Sequence, residues 1–324
     1  MKLARNITMP VLIAQLLITT QSHTQTAHER WASMQKNYNR INRALTVSGD
    51  MQKDQQYCHP HWQQNKEELK QLILGPTNEN FASNPQISSN MVRRGWTPVQ
   101  QYEVCFLKNC LSVATQEMIK RTQDTRFLGL PRECQEFNCS TNTLAQLYYA
   151  AKTLELSNNN LSSIVEFGGG YGNLARMYKE MLPDVTYFII DLPELLALQH
   201  FFLQSTLPGV DVQMHAQIPT EFKKGSIHLI PAYIIENMNI KTDLFVSTFA
   251  ITESSEIMQN IVGSKRFFDA SICYVVGQLV GCNHPWVHHS VLQTSIRKSY
   301  TIAECRPSFF FFHGVNAYEM IGLH

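Results

Sequence analysis

Apolar positions recur along this chain with two different periods, and the change falls near residue 160. From about residue 27 to 155 they return every three to four positions, the spacing of helices that bury one face. Trp62, Leu69, Leu72 and Ile73 mark one such face, which Gly75-Pro76 ends. Residues 75–98 are rich in Asn, Ser, Pro and Gly and read as a long loop. Residues 98–121 predict a longer helix with Val104, Leu107, Leu111 and Ala114 on one side. Ser140 or Thr141 can cap a further helix carrying Leu144, Leu147, Tyr148, Ala151 and Leu154.

Beyond Asn160 short, nearly continuous apolar runs alternate with helical stretches. The runs predict strands over 163–167, 185–190, 227–230, 243–250 and 271–276, with helices over 172–182, 193–204, 254–262 and 286–297. Residues 210–215 form a possible extra strand. Such alternation predicts a parallel sheet covered on both faces. The last two runs, 300–305 and 309–313, are separated only by Arg306-Pro307-Ser308. A link that short cannot make a parallel crossover, so the pair predicts an antiparallel hairpin. Phe309–Phe312 reads as a buried strand rather than an aromatic platform. The fold class is α/β, divided into a leading segment 1–26, a helical region 27–140 and a sheet domain 141–324.

The strongest local signal is Val165-Glu166-Phe167-Gly168-Gly169-Gly170-Tyr171-Gly172-Asn173. It leaves an apolar strand, passes through four glycines and enters a helix. Glycines permit a tight turn and let backbone N–H groups approach a ligand at a helix N-terminus. Asp191 ends the next strand, where an acid can accept hydrogen bonds from ribose hydroxyls. Two cofactors compete for this arrangement. Gly170-x-Gly172-x-x-Ala175 satisfies the dinucleotide fingerprint, which fits an NAD-dependent oxidoreductase. Glu166 separates the readings, because a carboxylate before the glycines repels a pyrophosphate and attracts the ammonium and sulfonium charges of S-adenosylmethionine. The spacing Glu166, Gly168, Gly170, Gly172 therefore favours a methyl donor.

The run from Val165 to Arg176, together with Ile189-Ile-Asp-Leu-Pro-Glu-Leu-Leu-Ala-Leu-Gln199, resembles the bacterial sugar O-methyltransferases. Asp243-Leu-Phe-Val-Ser-Thr-Phe-Ala-Ile-Thr-Glu253 is similar to that family's next signature, and the resemblance covers about residues 140–320. It implies a Rossmann-like class I methyltransferase fold: a seven-stranded sheet, its last hairpin antiparallel. The helical region 27–140, by its position before that domain, is expected to cap the crevice and select the acceptor. It also implies that Glu166, Gly168, Gly170, Gly172, Asn173, Asp191 and Leu192 hold S-adenosylmethionine, and that the acceptor is a sugar or glycoconjugate hydroxyl. Such a hydroxyl is a poor nucleophile until a base takes its proton. Glu253, directly after the 243–250 strand, and His288, in the group His284, His288 and His289, are the candidate bases. Gln278 at a strand end could orient a hydroxyl.

Composition narrows the partners. The chain has 324 residues, 27 Lys+Arg against 26 Asp+Glu, and only 16% charged residues, so no basic excess favours nucleic acid. The balance favours a small-molecule or glycan acceptor. Lys2 and Arg5 precede an apolar stretch over 9–18, which is either an incomplete secretory signal or an irregular extension and is too short to span a membrane. A cytosolic methyl donor places the chain in the cytoplasm, with export as the alternative, and with it a binding protein that keeps the fold without turnover. None of the eight cysteines lies in a C-x-x-C pair or a zinc-finger spacing, and no metal site is expected. Cys134 and Cys139 share a loop-like stretch and could pair. His59 and His61 beside Trp62 resemble a ligand cluster only superficially, and Arg93 and Arg94 beside Trp96 read as a solvated loop.

Overall fold

The computed structural model describes residues 25–58, 60–92, 98–122, 130, 132–278, 289–312 and 315–324. Its centre is an eight-stranded sheet of β1 (Ser163–Phe167), β2 (Thr186–Asp191), β3 (Val212–Met214), β4 (Ile227–Pro231), β5 (Leu244–Thr248), β6 (Ile272–Gln278), β7 (Ile302–Phe312) and β8 (Val315–Leu323). The order across the sheet is β3-β4-β2-β1-β5-β6-β8-β7. Strands β1 to β6 pair in parallel, while β8 runs antiparallel to both β6 and β7. This is the Rossmann-like arrangement expected, with the antiparallel strand inserted beside the last and with β3 added at the far edge. From β1 the chain passes to β2, then to β3 at the edge, and β4 fills the place between them. The chain then returns to β5 on the other side, so the order reverses between β1 and β5. A crevice opens at the carboxyl ends of strands flanking such a reversal.

Three predicted stretches take different forms. The expected hairpin of 300–305 with 309–313 is a single strand, β7, whose partner is β8. Pro307 is tolerated because β7 is the sheet edge, where a missing N–H breaks no central ladder, and the register shifts between Pro307 and Phe311. The helix expected over 98–121 is broken in two. The hydroxyl of Ser112 accepts from the Thr115 amide at 3.3 Å and starts a new helix, Val113–Ile119. Within 75–98, read as loop, residues 81–92 form short helical turns.

The N-terminal helices are α1 (Ala27–Ser48), α2 (Met51–Tyr57) and α3 (Pro60–Leu74), followed by α4 (Pro98–Asn109), α5 (Val113–Ile119) and α6 (Thr141–Leu156). Helix α1 opens on a reciprocal cap between Thr26 and Glu29. Its buried residues Trp31, Met34, Tyr38, Ile41 and Leu45 fall on one stripe. Helices α7 (Asn173–Met181) and α8 (Pro193–Thr206) follow β1 and β2. Every residue of α8 from Pro193 to Leu203 is buried, as for a helix enclosed on all sides. The sheet covers one flank of α8, and α1 covers the other through Trp31, whose ring meets Phe201 edge-on at 4.9 Å. The helical region and the sheet therefore share one hydrophobic core.

Candidate active site

The crevice at the reversal is a cavity of about 1210 Å³, counted out to solvent. Its floor is the glycine loop leaving β1. Gly168 has φ +80°, and a β-carbon there would stand 1.8 Å from the β-carbon of Ala250, so only glycine lets the loops after β1 and β5 touch. Gly170 (φ +57°) lines the cavity, and no atom lies within 4 Å of where its β-carbon would be. That empty space is the room a side chain would take from a ligand.

Asp191 ends β2 on one wall. Its carboxylate accepts from the Gly169 amide at 2.9 Å, the Gln199 amide at 2.7 Å and the Leu192 amide at 2.8 Å. Gln199 also donates to the Gly170 carbonyl at 3.0 Å. Asp191 and Gln199 together fix the loop's shape before any ligand arrives. Burial pushes the Asp191 carboxyl up to about 7 against those three donors. Glu166, 2% exposed, accepts from the Tyr187 hydroxyl at 3.0 Å, and burial pushes it up to about 8. Leu192 lines the same wall.

Gly172 and Asn173 are not among the residues lining the cavity. Asn173 is fully buried behind the loop. Its amide donates to Thr143 Oγ1 at 3.1 Å and Gln146 Oε1 at 2.7 Å, and its oxygen accepts from Arg176 Nε at 2.8 Å. Helix α6 thereby holds the start of α7.

Across the crevice the chain leaves β5 through Phe249, whose φ of 73° is strained for a side chain of that size. The Phe249 carbonyl accepts from the amides of Thr252 and Glu253 at 3.1 and 3.2 Å. Ser247 ties this turn to β1, donating to the Phe167 carbonyl at 2.8 Å and accepting from the Ile251 amide at 3.1 Å. The turn aims Glu253 along the cavity wall, where desolvation pushes its carboxyl up to about 7 and a hydrogen bond from the Trp62 side chain opposes that rise. Trp62 comes from α3, so the N-terminal region reaches the candidate base directly.

The remaining wall includes Tyr57, Cys58 and Met91 from the N-terminal helices and turns, and Asn142 and Gln146 from α6. Behind it Lys66 pairs with Asp54 and lies 3.8 Å from Glu194, while the Tyr38 hydroxyl donates to Glu194 at 3.0 Å. These contacts clamp the helical region to the first turn of α8, one residue after Pro193.

His284 and His288 lie outside the described residues, as do His59, Arg93, Arg94 and Trp96. Gln278 ends β6, placed by its backbone. Among the described residues no group of three or more His, Cys, Asp and Glu could hold a metal ion. No helix among them is long and apolar enough to cross a membrane. Trp62, Gln199, Asn142 and Gln146 escaped the sequence reading. Gln199 carried one faint signal, a polar residue two turns into a mostly apolar helix after Asp191; nothing in the sequence pairs Trp62 with Glu253.

No family model matches the sequence, and no curated protein matches it. Solved structures resemble the fold. An O-methyltransferase family protein of Burkholderia thailandensis is 11% identical over 57% of this chain and 60% of its own, with a TM-score of 0.38. The mitomycin 7-O-methyltransferase is 11% identical over 75% and 73%, at 0.38. The magnesium protoporphyrin IX methyltransferase of Synechocystis, solved with S-adenosylmethionine bound, is 8% identical over 71% and 100%, at 0.37. The chain spans less than two thirds of the Burkholderia protein's length. Likenesses of this size define neither a reaction nor a substrate.

Proposed function

We propose that this chain is an S-adenosylmethionine-dependent O-methyltransferase acting on a hydroxyl of a sugar or glycoconjugate. The observation that carries the proposal is the placing of three carboxyls round one crevice: Glu166 and Asp191 at adjoining strand ends beside the glycine loop, and Glu253 across the reversal. The residues fit the cofactor. Gly170 leaves the space open, and the two buried acids suit a cation and an adenosine ribose. When bound, S-adenosylmethionine supplies a methyl group on a positively charged sulfur.

Burial raises the proton affinity of Glu166 to about 8 and of Asp191 to about 7, and an arriving cation favours their ionised forms. A dinucleotide pyrophosphate would oppose that ionisation and gain nothing from it, which disfavours the NAD reading. Gly168, Gly170 and Leu192 shape this half of the site, and Gly172 and Asn173 position the helix behind it. On the other half Glu253 takes the acceptor hydroxyl's proton at its carboxylate, its raised affinity for protons matching work near neutral pH. The neutral amides of Asn142 and Gln146 and the ring of Trp62 offer hydrogen bonds and a stacking face, which suit a hydroxylated ring. His288 remains the second candidate base.

Calorimetry separates the readings: S-adenosylhomocysteine binds saturably and NADH does not. The variants Glu166→Ala and Asp191→Ala weaken that binding. Unchanged affinity in both variants, or NADH binding in its place, overturns the assignment. Incubating glycans with labelled donor gives a product one methyl group heavier, and the same product mass on a phenol but on no glycan would replace the acceptor class alone.

A further inference from the structure

We infer that Cys134 and Cys139 form a reversible disulfide that braces the start of α6, the helix supporting the glycine loop. The two residues face each other in an isolated antiparallel bridge. They exchange both backbone hydrogen bonds, Cys134 amide to Cys139 carbonyl at 3.0 Å and the reverse at 3.1 Å. Residues so paired have α-carbons about 5.5 Å apart, within the range a disulfide spans, and β-carbons at the wide end of the cross-strand range, so closure must draw the two side chains together. Both are buried and neither is in a disulfide; the Cys134 thiol donates to Glu136 Oε2 at 3.8 Å, and the two cysteine side chains lie within hydrogen-bonding reach of each other. In the turn between them Asn138 takes a φ of 50°, so the chain already closes on itself without the covalent link.

The position gives the bond a consequence. Ser140 follows Cys139 and caps α6, its hydroxyl accepting from the Thr143 amide at 3.1 Å. The hydroxyl of Thr143 then accepts from Asn173 at the head of α7. A covalent tie between residues 134 and 139 fixes the backbone entering that cap.

Cys139 also lines a cavity of about 840 Å³, counted out to solvent and bordered by Lys108, Lys120 and Arg176 and by the carboxylate of Glu136. That cavity is the side from which a reagent approaches the pair. The step is exchange with a low-molecular-weight disulfide such as oxidised glutathione. One cysteine thiolate attacks a reagent sulfur and releases one thiol. The second cysteine thiolate then attacks the mixed disulfide and releases the other. The chain gains one S–S bond, the reagent's S–S bond is reduced, and the two cysteine protons end on the released thiols. Burial raises the Cys134 thiol above its ordinary value, so closure is faster in mildly alkaline buffer.

The inference does not depend on methyl transfer, and its test does not use activity. The full-length chain is incubated with reduced or oxidised glutathione, quenched with iodoacetamide and mapped as peptides without reduction. The peptide holding both cysteines is expected lighter by two hydrogen masses and unalkylated after oxidation, and restored by dithiothreitol. Alkylation or separate glutathionylation of both, under conditions that oxidise the exposed Cys105 and Cys110, overturns the pairing, as does pairing of either with another cysteine. The oxidised chain should also melt about 2–5 °C higher than the reduced one, a difference absent in Cys139→Ala. An intact disulfide with no such difference overturns the bracing role.

Discussion

Glu253 carries two demands at once, a wall position in a water-accessible cavity and a carboxyl that still titrates near neutrality. Its proton affinity is raised to about 7 by desolvation. Below that pH the carboxyl is neutral and cannot accept the hydroxyl's proton, so kcat/KM should fall tenfold per pH unit on the acid side. The Glu253→Gln variant should lose about 10²–10⁴-fold in kcat while S-adenosylhomocysteine affinity stays within a few-fold. An unchanged kcat would pass the role of base to His288. Glu166 belongs to stability as well. Its folded value of about 8 stands above the ordinary carboxyl value of 4.5, so the folded state holds the proton more tightly than the unfolded one. That contribution is complete below the unfolded value and is lost as pH rises toward 8. The ligand-free protein should therefore melt at lower temperature at pH 8 than at pH 5, and Glu166→Gln should flatten the slope. At Gly168, alanine would bring a β-carbon onto Ala250 and strain a left-handed backbone. A loss of about 2–4 kcal/mol in chemical denaturation is expected, with the cofactor affinity falling too.

Among the elements, α6 links the most parts of the site. It contributes Asn142 and Gln146 to the cavity wall and holds Asn173 from behind. Its cap was legible because Ser140 precedes an apolar stripe of helical period. Ser140→Ala should cost about 1 kcal/mol, read as a drop of a few degrees in Tm. A Tm within half a degree of the parent would mean that water or Thr141 replaces the cap. The strands of the parallel part were legible for a similar reason: each is a short apolar run buried on both faces. The hairpin was not. The run 300–313 contains a Pro that reads as a turn, and only the edge position of β7 makes it compatible with an unbroken strand. The helix break at 110–112 hid behind a continuous apolar stripe, since periodicity does not register a Ser that caps from within.

At the scale of the molecule, the helical region and the sheet do not divide at residue 140 as independent bodies would. Trp31 and Phe81 pack against Phe201, the Tyr57 hydroxyl donates to Glu236 at 2.5 Å, and Lys66 reaches Glu194. Removing residues 27–74 would expose the buried outer face of α8, an apolar patch far larger than soluble surfaces tolerate. The truncated chain should show no cooperative thermal transition by circular dichroism. A truncated chain that still melted sharply and bound S-adenosylhomocysteine would show that the sheet stands alone. The same packing brings Trp62 to Glu253, so α3 reaches the proposed base directly. Trp62→Phe keeps the ring and removes the donor, and should move the acid limb of the pH profile to higher pH without a matching change in Tm.

The sequence by itself determined what depends on neighbours along the chain: the strand–glycine loop–helix run, Asp191 at the end of the next strand, and the alternation that makes a parallel sheet. Period, turn chemistry and caps act over a few residues, and so they can be read from a string. Tertiary structure alone decided which face of α8 the helical region covers, that Gln199 rather than a ligand satisfies part of Asp191, that residues 302–312 form one strand with β8 as its antiparallel partner, and that Trp62 meets Glu253. These depend on residues up to 191 positions apart in the chain (Trp62 and Glu253), brought together by burial, and burial is a property of the whole packed core.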